Sequence, residues 1–237
     1  FEDAVLASKL LDITLTSRDK GREDSVPLCG FPWHAASSYI AKLIGKGHKV
    51  AICEQMEDPR LAKGIVKREV VRVVTPGLVV DPDNLEAKQN NFLAGIAVRG
   101  EGFGLSFLDI STGEFRVTEI VDRNFFIDEV SRHGFREIIL EENLRDAVLE
   151  TALTRELEDC VINRFPRDWF DHAAALGILG EHVPAESIAR LDPERRPAMI
   201  AAAGAVLRYV RETQKERLGH INDIAHYRSE SFLTLDD

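Results

Sequence analysis

The sequence predicts an α/β chain in two parts: an α+β N-terminal domain with a mixed sheet, then a domain built on a second mixed sheet with helices on its faces. Three observations carry this. β-rich runs separated by glycine-containing turns at 100–102 and 111–113 form a meander. Helical and strand patterns then alternate to the C-terminal end. Between the two parts lies a polar stretch, residues 77–91, with Asp81, Pro82, Asp83 and Asn84.

In the first part, Ala4, Val5, Leu6, Leu10 and Leu11 fall at helical spacing, so Glu2–Leu11 is a predicted helix. Asp12–Thr16 alternates and reads as a strand, and polar Ser17–Ser25 as a loop. Val26–Pro32 is apolar, but two prolines and a glycine exclude a regular element, so it is expected to be an ordered loop. His34 follows it as a helix-entry residue. Ala35–Ile44 places Tyr39, Ile40, Leu43 and Ile44 on one helical side, and Gly45 or Gly47 stops it. Lys49–Cys53 and Glu69–Thr75 are short strands, the second ended by Pro76-Gly77.

In the second part the meander runs Phe92–Val98, Phe103–Ile110 and Glu114–Val121. Helices follow at Asn124–His133, Leu144–Leu157, Asp168–Leu179 and Pro193–Glu216, with strands at Glu137–Leu140 and Cys160–Asn163. Three antiparallel strands continued by such units make a mixed sheet. The expected boundaries are 1–76 for the first domain, 77–220 for the second with its linker at 77–91, and 221–237 for the start of a third. The polar linker predicts a soft relative orientation of the first two.

Of 237 residues, 44% are hydrophobic and 30% charged, which supplies enough apolar surface for packed cores and excludes a disordered chain. The net charge of −10 is uneven. Residues 1–76 hold 10 acids and 12 bases, a balance of +2; the other 161 residues hold 30 acids and 18 bases, a balance of −12. Any polyanion is therefore expected against the N-terminal part. No apolar run approaches a membrane span, so no membrane partner is expected. Three widely spaced cysteines (Cys29, Cys53, Cys160) suggest neither a disulfide framework nor a zinc site, and point to a reducing, cytoplasmic location. The chain opens on Phe1, without a Met, inside a helical pattern; it is expected to be a piece excised from a longer protein.

No phosphate-binding loop, dinucleotide fingerprint or nucleophile elbow is spelled in the chain. Gly45-Lys46-Gly47-His48-Lys49 lacks the loop length and hydroxyl of a phosphate loop, and Gly100–Gly104 is explained by a hairpin turn. An RNase H-like sheet also begins with three antiparallel strands, and such nucleases carry an Asp on the first of them for two-metal catalysis. Here Phe92–Val98 carries no acid; Asp109 lies on the second strand and Glu119 on the third. Asp109 is expected to form the turn at Ser111-Thr112-Gly113. A nuclease or resolvase is the competing enzyme reading, and an acidic protein-interaction module a third.

The residues Leu10-Leu11-Asp12-Ile13-Thr14-Leu15-Thr16-Ser17-Arg18, Pro27-Leu28-Cys29-Gly30-Phe31-Pro32-Trp33-His34-Ala35 and Val50-Ala51-Ile52-Cys53-Glu54-Gln55-Met56-Glu57-Asp58-Pro59 resemble the mismatch-recognition domain of the MutS family of DNA mismatch-repair proteins. Lys63-Gly64 and Lys67–Gly77 continue the likeness. Leu108–Phe115 resembles a hairpin of that family's connector domain, and Tyr209–Gln214, with Leu218 and His220, its junction with the core domain. The resemblance implies most of a bacterial mismatch-binding domain, a whole RNase H-like connector without nuclease activity, and the first residues of the core. It implies binding to duplex DNA with mispaired or unpaired bases, recruitment of MutL through the connector, and homodimerisation of the whole protein. The family reads mismatches with a Phe-x-Glu motif, expected just before Phe1. Its ATPase, with ATP and magnesium, is expected beyond Asp237, so no catalytic residue, metal or cofactor is expected within the chain. The DNA-contact candidates are Arg18, which opens the polar loop after the first strand, Pro27 and Leu28 in the apolar loop that the family places near the minor groove, and Lys67 and Arg68 toward the backbone; Arg18, Lys67 and Arg68 are the expected phosphate contacts.

Overall fold

The computed structural model describes residues 2–17, 25–58, 60–61, 64–78, 91–144, 146–157, 160–215 and 218–228. Helix α1 (Glu2–Leu11) has Glu2 and Asp3 in its first turn and Lys9 in its last, the charge order a helix dipole favours. Asp12 follows at φ 53°, and the Ile13 amide donates to the Ser8 carbonyl at 3.1 Å, a left-handed stop. That stop shortens the strand expected at 12–16 to β1 (Thr16–Ser17). β1 pairs antiparallel with β2 (Pro27–Leu28), Thr16 opposite Leu28. Pro27 and Leu28, expected in an irregular loop, thus sit in a two-residue ladder, a size and edge position that tolerate a proline.

A 3-10 turn at Trp33–Ala35, which includes His34, leads into α2 (Ala36–Ile44). Gly47, at φ 78°, redirects the chain into β3 (Val50–Gln55), which pairs antiparallel with β4 (Arg68–Val74). Ile40, Ile44, Val50, Ile52 and Val74 pack together between them. Among the described residues the N-terminal half therefore carries two antiparallel pairs, in place of the mixed sheet expected there. The turn at Asp12 and the missing N–H of Pro27 keep the first pair to two residues, too short to extend the second.

The second half is built on β5 (Phe92–Arg99), β6 (Gly102–Asp109) and β7 (Glu114–Ile120), an antiparallel meander. α3 (Arg123–Arg132) leads to β8 (Glu137–Glu141), parallel to β5; α4 (Ala147–Glu156) leads to β9 (Val161–Phe165), parallel to β8. Asp122 and Asp146 cap these helices, accepting from the amides of Phe125 at 2.8 Å and Leu149 at 2.9 Å. Successive strand residues alternate between faces. Ala94, Ile96, Leu105 and Phe107 meet α3 and α4, whereas Leu93, Ala97, Leu108 and Val117 lie in the core of the opposite face.

That opposite face is covered by α5 (His172–His182), α6 (Ala185–Arg190) and α7 (Pro197–Gln214). α7 is apolar almost all round and buried along most of its length, as such a pattern requires. It can lie this close because Gly104 of β6 faces the backbone of Ala198, where a Cβ would collide. The helix expected at 168–179 is split: a 3-10 turn covers Arg167–Phe170, and Asp171 then caps α5 by accepting from Ala174 at 2.9 Å. α6 was not anticipated, and prolines at 184 and 197 set its start and that of α7.

Beyond α7, residues 218–227 strap the sheet. Leu218, Ile221 and Ile224 are buried in its core, and β10 (Ala225–His226) pairs parallel to β7. The sheet order is thus β10-β7-β6-β5-β8-β9. Within it, the antiparallel meander continued by β8 and β9 is the arrangement expected of an RNase H-like domain. Residues up to Tyr227, assigned from sequence partly to a third domain, pack on this one. Among the described residues no helix is long and apolar enough to cross a membrane.

Candidate nucleic-acid interface

Of the five sequence-derived DNA-contact candidates, Arg18 lies outside the described residues. Pro27 and Leu28 are half-buried in β2, against α1. Lys67 and Arg68 are exposed at the start of β4, where Arg68 pairs with Gln55. The two groups belong to separate two-stranded sheets.

Lys67 is fastened by its backbone. Its amide donates to Glu57 Oε1 at 2.6 Å and its carbonyl accepts from the Met56 amide at 2.9 Å, which closes the base of the 56–67 hairpin loop. Its ammonium lies 2.6 Å from Glu69 Oε1. The hydrogen bond and charge of Glu69 raise the Lys67 pKa, and those of Lys67 lower that of Glu69. Both groups face solvent, so the pair contributes little to stability, but it halves the positive charge that the start of β4 offers a phosphate. Residues two apart on a strand share a face, so this pairing was legible in the sequence.

The loop also carries a feature that the sequence reasoning missed. Leu61 is 81% and Ile65 95% exposed, with Met56 at 51%, beside Arg60, Lys67 and Arg68. Apolar tips flanked by bases suit a groove-inserting contact. In the sequence these apolar residues read like core positions, and only their place in the loop between β3 and β4 sets them apart. A second exposed patch lies at the entry to α2, where Trp33 is 79% exposed and Phe31 stacks on Tyr39 with ring centroids 4.5 Å apart. Lys42 Nζ stands 5.3 Å over the Tyr39 ring.

The sheet carboxylates Asp109, Glu119 and Glu137 are engaged within the fold. β5 carries none. Asp109 is buried and accepts from Ser111, as its turn-forming role requires. Glu119 accepts from the Met199 amide at 2.9 Å, and burial raises its pKa. Glu137, on β8, is buried and accepts four hydrogen bonds. Among the described residues no group of three or more His, Cys, Asp or Glu could hold a metal ion. Cys160 is equally unsuited to ligation or attack, since burial pushes its thiol up to about 12. The sequence spells Phe-x-Glu once, at Phe135-Arg136-Glu137, where the ring and the carboxylate are both buried in the second domain. That occurrence cannot stack on a base.

Comparison with known proteins agrees with this geometry. Residues 1–83 match the family described as MutS domain I, and residues 91–222 the family described as MutS domain II. The chain is 41% identical over 236 residues to the DNA mismatch repair protein MutS of Lachnoclostridium phytofermentans, covering 100% of the chain and 25% of that relative. It is 42% identical over 237 residues to that of Desulfatibacillum aliphaticivorans, covering 100% of the chain and 27% of the relative. With the MutS of Symbiobacterium thermophilum it shares 42% identity over 241 residues, covering 99% of the chain and 27% of the relative. The chain thus spans about a quarter of the length of these relatives. Matched in order through both halves, it belongs to the MutS family of DNA mismatch-repair proteins.

Proposed function

We propose that this chain forms the DNA-facing scaffold and connector of a mismatch-recognition protein. The N-terminal unit lies along duplex DNA through the 56–67 hairpin and the start of β4. The connector passes the bound state on to MutL, in a cytoplasmic protein that works as a homodimer. The observation that carries the reading is the ordered match of both halves to the two MutS domains. The exposed bases Arg60, Lys67 and Arg68 beside Leu61 and Ile65 support the placement of DNA. The engaged carboxylates of the connector favour a binding role over nuclease chemistry, and ATP with magnesium belongs to other parts of the family's architecture.

A low-salt titration of these 237 residues tests the reading, with a perfect duplex and with a duplex holding one unpaired thymine. Weak binding that falls steeply with salt, and is equal for both duplexes, is expected. Absence of binding at low salt overturns the DNA-facing assignment. A tenfold preference for the unpaired thymine overturns the assignment of base reading to a motif outside these residues.

A further inference from the structure

We propose that Glu137 is a latch that fixes the orientation of the N-terminal unit on the connector sheet, by gathering hydrogen-bond donors from both at one buried carboxylate. Glu137 opens β8 and is fully buried. Its Oε2 accepts from the Thr75 hydroxyl at 2.5 Å and the Gly77 amide at 3.0 Å. Its Oε1 accepts from the Tyr209 hydroxyl at 2.7 Å and Asn163 Nδ2 at 2.6 Å, with Lys49 Nζ 3.9 Å away. Thr75, Gly77 and Lys49 come from the N-terminal unit and its exit; Asn163 and Tyr209 come from β9 and α7.

The surroundings are shaped for this contact. A Cβ on Gly77 would stand 2.8 Å from Glu137 Cβ and 3.2 Å from Leu93 Cα, so only glycine lets the chain approach β8. The Leu78 amide closes the turn onto the Thr75 carbonyl at 3.0 Å, and Leu78 is buried in the connector core. Lys49 Nζ lies 5.3 Å over the Tyr209 ring. Burial, and then the charge of Glu137, raise the Tyr209 pKa well above that of a free phenol, so its hydroxyl stays a donor. At the end of α7, Gln214 Nε2 donates to the Val73 carbonyl at 3.2 Å and Lys215 Nζ to the Val70 carbonyl at 2.7 Å.

Such a joint is discrete, not graded. Swinging the N-terminal unit away strips Thr75, Gly77 and Lys49 from the carboxylate together. Its Oε2 then loses both donors at once and has to be rehydrated, while Oε1 keeps Asn163 and Tyr209, so the contact is made or lost as a set. The polar linker suggested a soft joint; the carboxylate argues for a fixed one. The proposal stands on this geometry alone and does not depend on the DNA reading.

The test uses the full 237 residues with Cys29, Cys53 and Cys160 replaced by alanine and spin labels at Ser38→Cys on α2 and Thr151→Cys on α4, both exposed sites. Thr75→Val removes one donor without touching the connector, and Glu137→Gln removes the charge. Both variants are expected to broaden the distance distribution between the labels at least twofold. Both should also speed amide exchange at Gly77 about tenfold, while the β6 amides exchange as in the parent. Distributions as narrow as the parent's in both variants overturn the proposal. So does acceleration in β6 equal to that at Gly77, because Glu137 would then only support the connector's own stability.

Discussion

Asp109 Oδ1 accepts two hydrogen bonds from Ser111, 2.8 Å from its amide and 2.6 Å from its hydroxyl. The carboxylate at the end of β6 is thereby folded onto its own turn, and Gly113, at φ 76°, completes the reversal into β7. Asp109 is 3% exposed, so neither oxygen reaches out toward an ion or a phosphodiester. The sheet uses this acid to hold its own turn.

Asp109→Ala is accordingly expected to act on stability alone. Loss of both bonds should lower the unfolding free energy by about 1–3 kcal/mol, read by urea denaturation. Supercoiled plasmid with magnesium or manganese should stay intact with parent and variant alike. Nicking by the repurified parent that the substitution abolishes would assign Asp109 a chemical role.

At the start of β4, Glu69 holds the Lys67 ammonium, which in the DNA-facing reading proposed above would otherwise be open to a phosphate. Glu69→Gln is expected to tighten low-salt duplex binding several-fold by freeing that ammonium and removing a negative charge. Arg68→Ala is expected to weaken binding equally for perfect and mismatched duplexes, as a phosphate contact does. Fluorescence anisotropy at two salt concentrations reads both. Weaker binding by Glu69→Gln would place the DNA elsewhere.

Gly104→Ala probes the contact between β6 and α7. The added methyl meets the Ala198 backbone, which belongs to a helix held on several sides. A loss of about 1–3 kcal/mol is expected from overpacking. The same substitution at Gly134, which lies in open space, removes only the advantage of glycine at φ 60°. A loss at Gly104 no larger than that at Gly134 would show that the close approach of α7 does not demand glycine there.

Acid should loosen the clasp between α3 and the strap. Burial alone would raise the Glu129 pKa, but hydrogen bonds from His133 at 3.0 Å and Tyr227 at 3.0 Å, with the charges of His133 and Arg132, outweigh burial and hold it below the ordinary value. A carboxylate lowered on folding stabilises above its unfolded pKa, and that contribution fades as pH falls through the lowered value. The parent should therefore lose more stability between pH 5 and pH 3 than Glu129→Gln does. Parallel losses in urea titrations across that range would remove Glu129 as the cause.

What the sequence disclosed was local. The meander was readable because its glycine turns and alternating residues lie within a few positions of one another, and α7 because its apolar run is long. The stop at Asp12 was hidden, since a left-handed aspartate looks like any other. β10 is two residues long and gains its meaning only from the edge of β7. Glu137 draws on Thr75, Gly77 and Tyr209, which are 62, 60 and 72 positions away, and no pattern in a window reports such a meeting. At the interface, the exposure of Lys67 and Arg68 followed from their place beside a loop, whereas Leu61 and Ile65 look like core residues until the fold leaves them outside.

The contacts from α7 to β4 also set an order of events during synthesis. The carbonyls of Val70 and Val73 are met by side chains 145 and 141 positions later. Ribosomes add roughly 5–20 residues per second, so that edge of the hairpin waits on the order of ten seconds for its partners. The nascent N-terminal unit therefore leaves the exit tunnel with these β4 carbonyls open to solvent, and they stay open until the end of α7 emerges.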